Sequence, residues 1–204
     1  IGLDISENIF LENLQLLIDK AMTTKNFLRI DMESSLATDA TINAYTQALK
    51  KSDSVGTVFQ AYLFRTLDDI RSIQNNHLNF RLCKGIYKES KDISIQDRKY
   101  INDNYLKILR YAFTVNNYVG IATHDIDLLK DIYALIEELD VPSTQFEFQV
   151  LYGVPMSGWL EKHLENGYKV RVYVPFGPDW YDYSIRRLKE NPNIAGYIIK
   201  NLFR

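Results

Sequence analysis

Near the C-terminal end of the chain, Tyr183, Arg186, Arg187 and Glu190 stand at offsets of three, four and seven, in a stretch that reads as helix. Those offsets stack all four side chains on one helical face. Two neighbouring guanidiniums can then grip one small anion, with Glu190 one turn on to orient them. Arginine suits bidentate capture of a carboxylate because its planar donors match the two oxygens. Taken alone, the quartet also fits a solvated helix face whose ion pair contributes roughly 0.3–0.5 kcal/mol. The elements around it must decide between the two.

Helical and strand patterns alternate along the chain. Residues 7–24 repeat apolar positions at helical spacing behind Ser6 as a cap, and 27–32 is a short apolar strand. A helix over 39–51 and a strand over 55–61 follow. Thr66 caps a helix running to about 76, and 80–83 forms the next strand. Ser94 opens a long helix to about 116, before strand 118–122, helix 126–139, strand 145–151, helix 156–166 and strand 168–174. The arginine helix and an amphipathic segment over 193–203 close the chain.

Six strands, each followed by a helix, imply a parallel sheet covered by helices. No GxGxxG turn follows the first strand, which weakens a dinucleotide-binding doubly wound sheet. A (β/α)8 TIM-type barrel fits better, as one domain over 1–204 with one or two N-terminal strands missing. In such barrels chemistry sits at the C-terminal ends of the strands. Here those ends carry Asp31, Gln60, Arg81 with Lys84, Thr123 with His124, Gln149, and Tyr173. Six strands delivering polar groups to one rim make a site.

Composition narrows the class. A net charge of −2 offers no electrostatic argument for nucleic acid or an anionic membrane surface. One cysteine, Cys83, excludes an intrachain disulfide and reads as packing within an apolar strand. No apolar run reaches 18 residues, and the opening Ile-Gly-Leu-Asp shows no secretion signal, so a cytoplasmic location is expected. No His/Cys/carboxylate set has metal-ligand spacing, which argues against a metal. His77 and His163 read as surface helical residues, while His124 stays open between a strand-to-helix cap and a site residue.

The segments RLCKGIY (81–87), RIDMESS (29–35), FEFQVLYG (146–153) and RVYVPFG…YSIRRLKE (171–190) resemble bacterial proline dehydrogenase. These are flavin-dependent enzymes of proline catabolism with a distorted (β/α)8 barrel, and the likeness is greatest to the short monofunctional form. The resemblance implies FAD as cofactor and L-proline as substrate. It implies oxidation to 1-pyrroline-5-carboxylate by hydride transfer from ring C5 to flavin N5. A membrane quinone is then the electron acceptor, reached by peripheral contact at the inner face of the cell membrane.

By the same resemblance Arg81 sits beside flavin N5, held by Asp31 as fixed charge partner. Met32 and Gln60 line the isoalloxazine, Lys84, Gly85 and Ile86 follow the ribityl–pyrophosphate, and Thr123 and His124 are further FAD contacts. Leu151, Tyr173 and Tyr183 wall the proline ring, and Arg186 and Arg187 clamp its carboxylate, braced by Glu190. The chain departs from the wider family at Ile86, Lys88 and Asp125, and a lysine the family carries on the preceding strand has no counterpart here. Two other readings remain: a Schiff-base aldolase barrel using Lys84, and a non-catalytic barrel that binds an anionic metabolite.

Overall fold

The computed structural model describes residues 1–73, 77–174, 176 and 177. Helix α1, Glu7–Thr24, starts where Ser6 accepts from the Ile9 N–H and ends where Lys25 turns left-handed at φ 55°. Its inward stripe is Phe10, Leu14 and Ile18, spaced four apart. Next come β1 (Leu28–Arg29), a short 3-10 turn, α2 (Thr38–Leu49), β2 (Val55–Gln60), α3 (Thr66–Ser72) and β3 (Asn79–Cys83). The series continues with α4 (Arg98–Thr114), β4 (Tyr118–Ala122), α5 (Ile126–Glu138), β5 (Phe146–Leu151), α6 (Trp159–Glu165) and β6 (Val170–Tyr173).

All five strand pairings are parallel, and the spatial order is the sequence order, β1 to β6. Right-handed crossovers that always step in one direction leave every helix on one face of the sheet. The other face curls inward, giving part of a TIM-type barrel rather than a doubly wound sheet. The outward positions Phe80, Leu82, Val119, Ile121, Phe146 and Phe148 are fully buried beneath the helices. Alternation then turns Asn79, Arg81, Cys83, Gly120, Glu147 and Gln149 toward the barrel interior.

Several boundaries differ from the sequence expectation for local reasons. Strand β1 is shorter than 27–32, although Ile30 N–H still bonds Gly56 O at 2.8 Å before the polar turn begins. Thr66 does not cap α3; its Oγ1 donates to Gln60 O at 2.6 Å and ties the helix start to the end of β2. Helix α4 starts at Arg98 because Asp97, not Ser94, accepts the Lys99 and Tyr100 amides. Ser94 instead donates to Ser90 O. Helix α6 is a short one, opened by Gly158 at φ 83°.

His163 is not a surface residue. Trp159 and His163, one turn apart, form the buried face of α6, and the imidazole stacks on Phe148 with centroids 3.8 Å apart. Its Nδ1 meets the Tyr133 hydroxyl at 2.8 Å, and burial pushes its pKa down to about 4. His77 is exposed, but in a loop at φ 87° rather than on a helix. The arginine helix and the segment 193–203 lie outside the described residues.

Candidate active site

The interior face of the sheet opens on a cavity of about 700 Å³ at the C-terminal end of the strands. Arg81, on the middle of β3, is its organising cation. Its Nη1 donates to Asp31 Oδ1 at 2.7 Å and its Nε donates to Gln149 Oε1 at 2.7 Å. The guanidinium carbon also lies 5.8 Å from the centre of the Tyr173 ring, on β6. Asp31 stands two residues past the end of β1, so the pair bridges the β1 end and β3 across β2.

Beneath this pair runs a second polar layer. Gln149 Nε2 donates to Glu147 Oε1 at 2.7 Å. Arg171 on β6 grips the same carboxylate through Nε at 2.6 Å and Nη2 at 3.0 Å, and Tyr118 adds its hydroxyl at 3.0 Å. Glu147 is fully buried. Burial raises its pKa, but the hydrogen bonds from Arg171, Gln149 and Tyr118 outweigh that and hold it below the ordinary carboxylate value. Gly120 makes the layer geometrically feasible. A Cβ there would sit 2.3 Å from Gln149 Nε2 and 2.8 Å from its Cδ.

Other residues singled out from sequence fall around the same cavity. Met32 and Gln60 are buried in its wall, with Ile86, His124 and Leu151 lining the rest. Gln60 donates through Nε2 to Glu33 O at 2.9 Å, while its buried Oε1 has no hydrogen-bond partner among the described residues. His124 accepts the Leu151 amide on Nε2 at 3.1 Å, which leaves the proton on Nδ1. Burial lowers its pKa, so the ring is neutral at pH 7. Cys83 also faces the cavity, and burial pushes its thiol pKa up to about 11.

Lys84, Gly85 and Thr123 stand apart from the cavity lining. The Lys84 ammonium pairs with Asp125, whose Oδ2 also accepts from Arg98 Nη2 at 2.9 Å and Asn102 Nδ2 at 3.2 Å. Asp125 caps α5 as well, through its other oxygen to the Asp127 amide. Burial alone would raise its pKa; the donors from Lys84, Arg98 and Asn102 instead hold it far below the ordinary value. Gly85 adopts φ 113°, and a Cβ there would lie 2.1 Å from the Tyr62 ring. Thr123 is buried, its Oγ1 accepting the Asp125 amide.

The loop that follows β3 is fastened to the loop that follows β1. Tyr87 donates to the Glu33 carboxylate, and Glu89 accepts from the Ser35 amide and hydroxyl, each at 2.7 Å. Sequence reasoning missed Glu147, Arg171, Arg98 and these loop fasteners, whose partners lie far off in the chain. Tyr183, Arg186, Arg187 and Glu190 lie outside the described residues. Among the described residues no cluster of three His, Cys, Asp or Glu could hold a metal. No helix among them is long and apolar enough to cross a membrane.

Comparison with known proteins points one way. The family described as Proline dehydrogenase matches residues 2–198. The chain is 36% identical over 204 residues to proline dehydrogenase 1 of Bacillus subtilis (strain 168), covering 100% of this chain and 67% of that one. It is 33% identical over 201 residues to proline dehydrogenase of Deinococcus radiodurans, covering 97% of this chain and 64% of that one. A crystal structure of proline utilization A from Bdellovibrio bacteriovorus, inactivated by N-propargylglycine, superposes with a TM-score of 0.82. At 24% identity, over 93% of this chain and 22% of the other, it shows the shared fold. The part-barrel, the polar strand ends and a family match over nearly the whole chain agree: this chain belongs to the proline dehydrogenase family.

Proposed function

We propose that the protein oxidises L-proline to 1-pyrroline-5-carboxylate with FAD seated in the cavity, passing the electrons on to a quinone. The observation that carries this reading is the arginine in the cavity wall, Arg81, gripped on two edges by Asp31 and Gln149. A cation fixed in advance, in a partly desolvated wall, stabilises negative charge that develops nearby during a reaction.

The residues present fit a flavin. Met32, Val58 and Ile86 offer apolar surface for a flat ring system, and Arg81 a cation beside it. The buried Gln60 Oε1, lacking a partner among the described residues, would accept a hydrogen bond from the ring's polar edge. Lys84, just past β3, and Arg98, at the start of α4, both paired with Asp125, would hold the pyrophosphate, with Gly85 allowing the backbone to turn beside Lys84. When bound, FAD supplies the two-electron acceptor for hydride leaving C5 of proline.

The chain's own groups would position and sort the substrate. Leu151 and Tyr173 give the proline ring an apolar and aromatic wall, and neutral His124 at the end of β4 adds no competing charge. Arg186 and Arg187 would fix the carboxylate and so decide which ring carbon faces the acceptor. The Schiff-base alternative is disfavoured because Lys84 is ion-paired to Asp125 and lies outside the cavity lining.

Mass spectrometry of the product tests the reading. FAD-loaded protein, L-proline and a soluble quinone should give a product lighter than proline by two hydrogens, in step with quinone reduced. Unconverted proline under those conditions would refute it.

A further inference from the structure

Among the described residues the Arg81 guanidinium hydrogen-bonds to two anchors, and only one of them is charged. Asp31 holds Nη1 at 2.7 Å, yet its side chain is 59% exposed, so water competes for that carboxylate. The other anchor, Gln149, is buried and accepts from Nε at 2.7 Å. An amide can present either end, and only the oxygen suits an arginine N–H. Here the choice is forced from below. Glu147 Oε1 takes the Nε2 proton at 2.7 Å; a flipped amide would set donor against donor at Arg81 and oxygen against oxygen at Glu147.

Glu147 is itself fully buried and held by two nitrogens, Nε and Nη2, of the half-exposed Arg171 and by the Tyr118 hydroxyl. The residues alternate in charge from β6 to β1: Arg171, Glu147, neutral Gln149, Arg81, Asp31. Gly120, whose absent side chain leaves the slot for the Gln149 amide, is the fourth strand's share. Period-two spacing puts Glu147 and Gln149 on the same interior face of β5, so one strand carries both the lock and the contact.

We propose that Gln149 is a positioning residue for Arg81, its amide locked by Glu147 and Arg171, so that the guanidinium is oriented from beneath before any ligand arrives. This rests on the flavin reading above for what Arg81 acts upon. Through that orientation Gln149 tunes how well the site stabilises the reduced, anionic cofactor.

The test uses FAD-loaded protein carrying Gln149→Leu, Glu147→Gln or Gly120→Ala. For each, the flavin midpoint potential is titrated with a chemical reductant, and kcat and KM for L-proline are measured. Gln149→Leu is expected to keep FAD and lower kcat at least tenfold, with KM within about threefold of wild type. Its potential should fall by about 30 mV, which is a tenfold change for a two-electron couple. Glu147→Gln, which removes the charge and so weakens the lock but not the contact, and Gly120→Ala, which displaces the amide, should move the potential in the same direction. A wild-type potential in Gln149→Leu would overturn the proposal, as would loss of FAD from all three variants, which marks a structural role. The chemical titration needs no turnover, so a wild-type protein that proline fails to reduce would refute the proposed function without deciding this one.

Discussion

Arg81 concentrates the account at the scale of single residues. Its charge is held at Nη1 and Nε, and neither grip engages Nη2. Arg81→Met keeps the length and removes the charge, so kcat and the flavin potential should both fall; a potentiometric titration checks it. The carboxylate clamp makes a different demand. Arg187→Ala should raise the proline KM roughly tenfold or more while the bound FAD spectrum persists, since an unpaired buried carboxylate costs about 2–4 kcal/mol. An unchanged KM would remove Arg187 from the substrate. Asp31 and Arg81 were legible as polar interruptions of apolar strands, and the structure joins them directly. The contact between Arg81 and Gln149 spans 68 residues, and no local spacing carries such a signal. Glu147 was hidden for the same reason: in FEFQVL it looks like the wet half of an alternating strand, and only closure of the sheet makes that side an interior.

At the scale of elements, two side chains behind the sheet contribute to its stability in ways that can be measured. Tyr105 on α4 donates to Leu82 O at 2.7 Å and accepts the Ala122 amide at 3.1 Å, pinning β3 to β4 where both approach the site. Tyr105→Phe strands both backbone groups and should destabilise the fold by about 1–3 kcal/mol, read by urea denaturation. His163 adds a pH dependence. Its folded pKa of about 4 lies below the unfolded value near 6.5, so between those values the unfolded chain binds more protons. Stability from this group is therefore complete above about pH 6.5 and is lost as pH falls toward 4, by roughly 2–4 kcal/mol. His163→Phe should flatten that part of the stability profile; an unaltered slope would assign it to other groups. The sequence LEKHLENG around His163 is polar enough to pass for a solvated helix. What buries the ring is packing on Phe148 and Tyr133, contributed by β5 and α5.

The whole molecule follows from one topological fact, a sheet whose spatial order repeats its sequence order. Helices then gather outside and polar side chains inside, so the alternation legible in the sequence sufficed for the architecture, while element ends depended on caps such as Asp97 that compete with nearby serines. The interior face is unusually polar for a barrel, carrying Arg29, Arg81, Glu147 and the half-exposed Arg171. Burial and the neighbouring Arg81 lower the Arg29 pKa to about 10, a sign of how closely these cations are packed. A ligand seated among them should stabilise the fold by mass action: FAD at about 100 times its Kd adds about 2.7 kcal/mol and raises Tm. Calorimetry with and without FAD checks this, and an unchanged Tm would mean that the folded chain does not hold FAD. The most direct test of the central claim is anaerobic. L-proline is added to the FAD-loaded protein while the visible flavin band is followed. Bleaching of that band by L-proline is the expected result, and a band that stays yellow under excess L-proline would contradict the account.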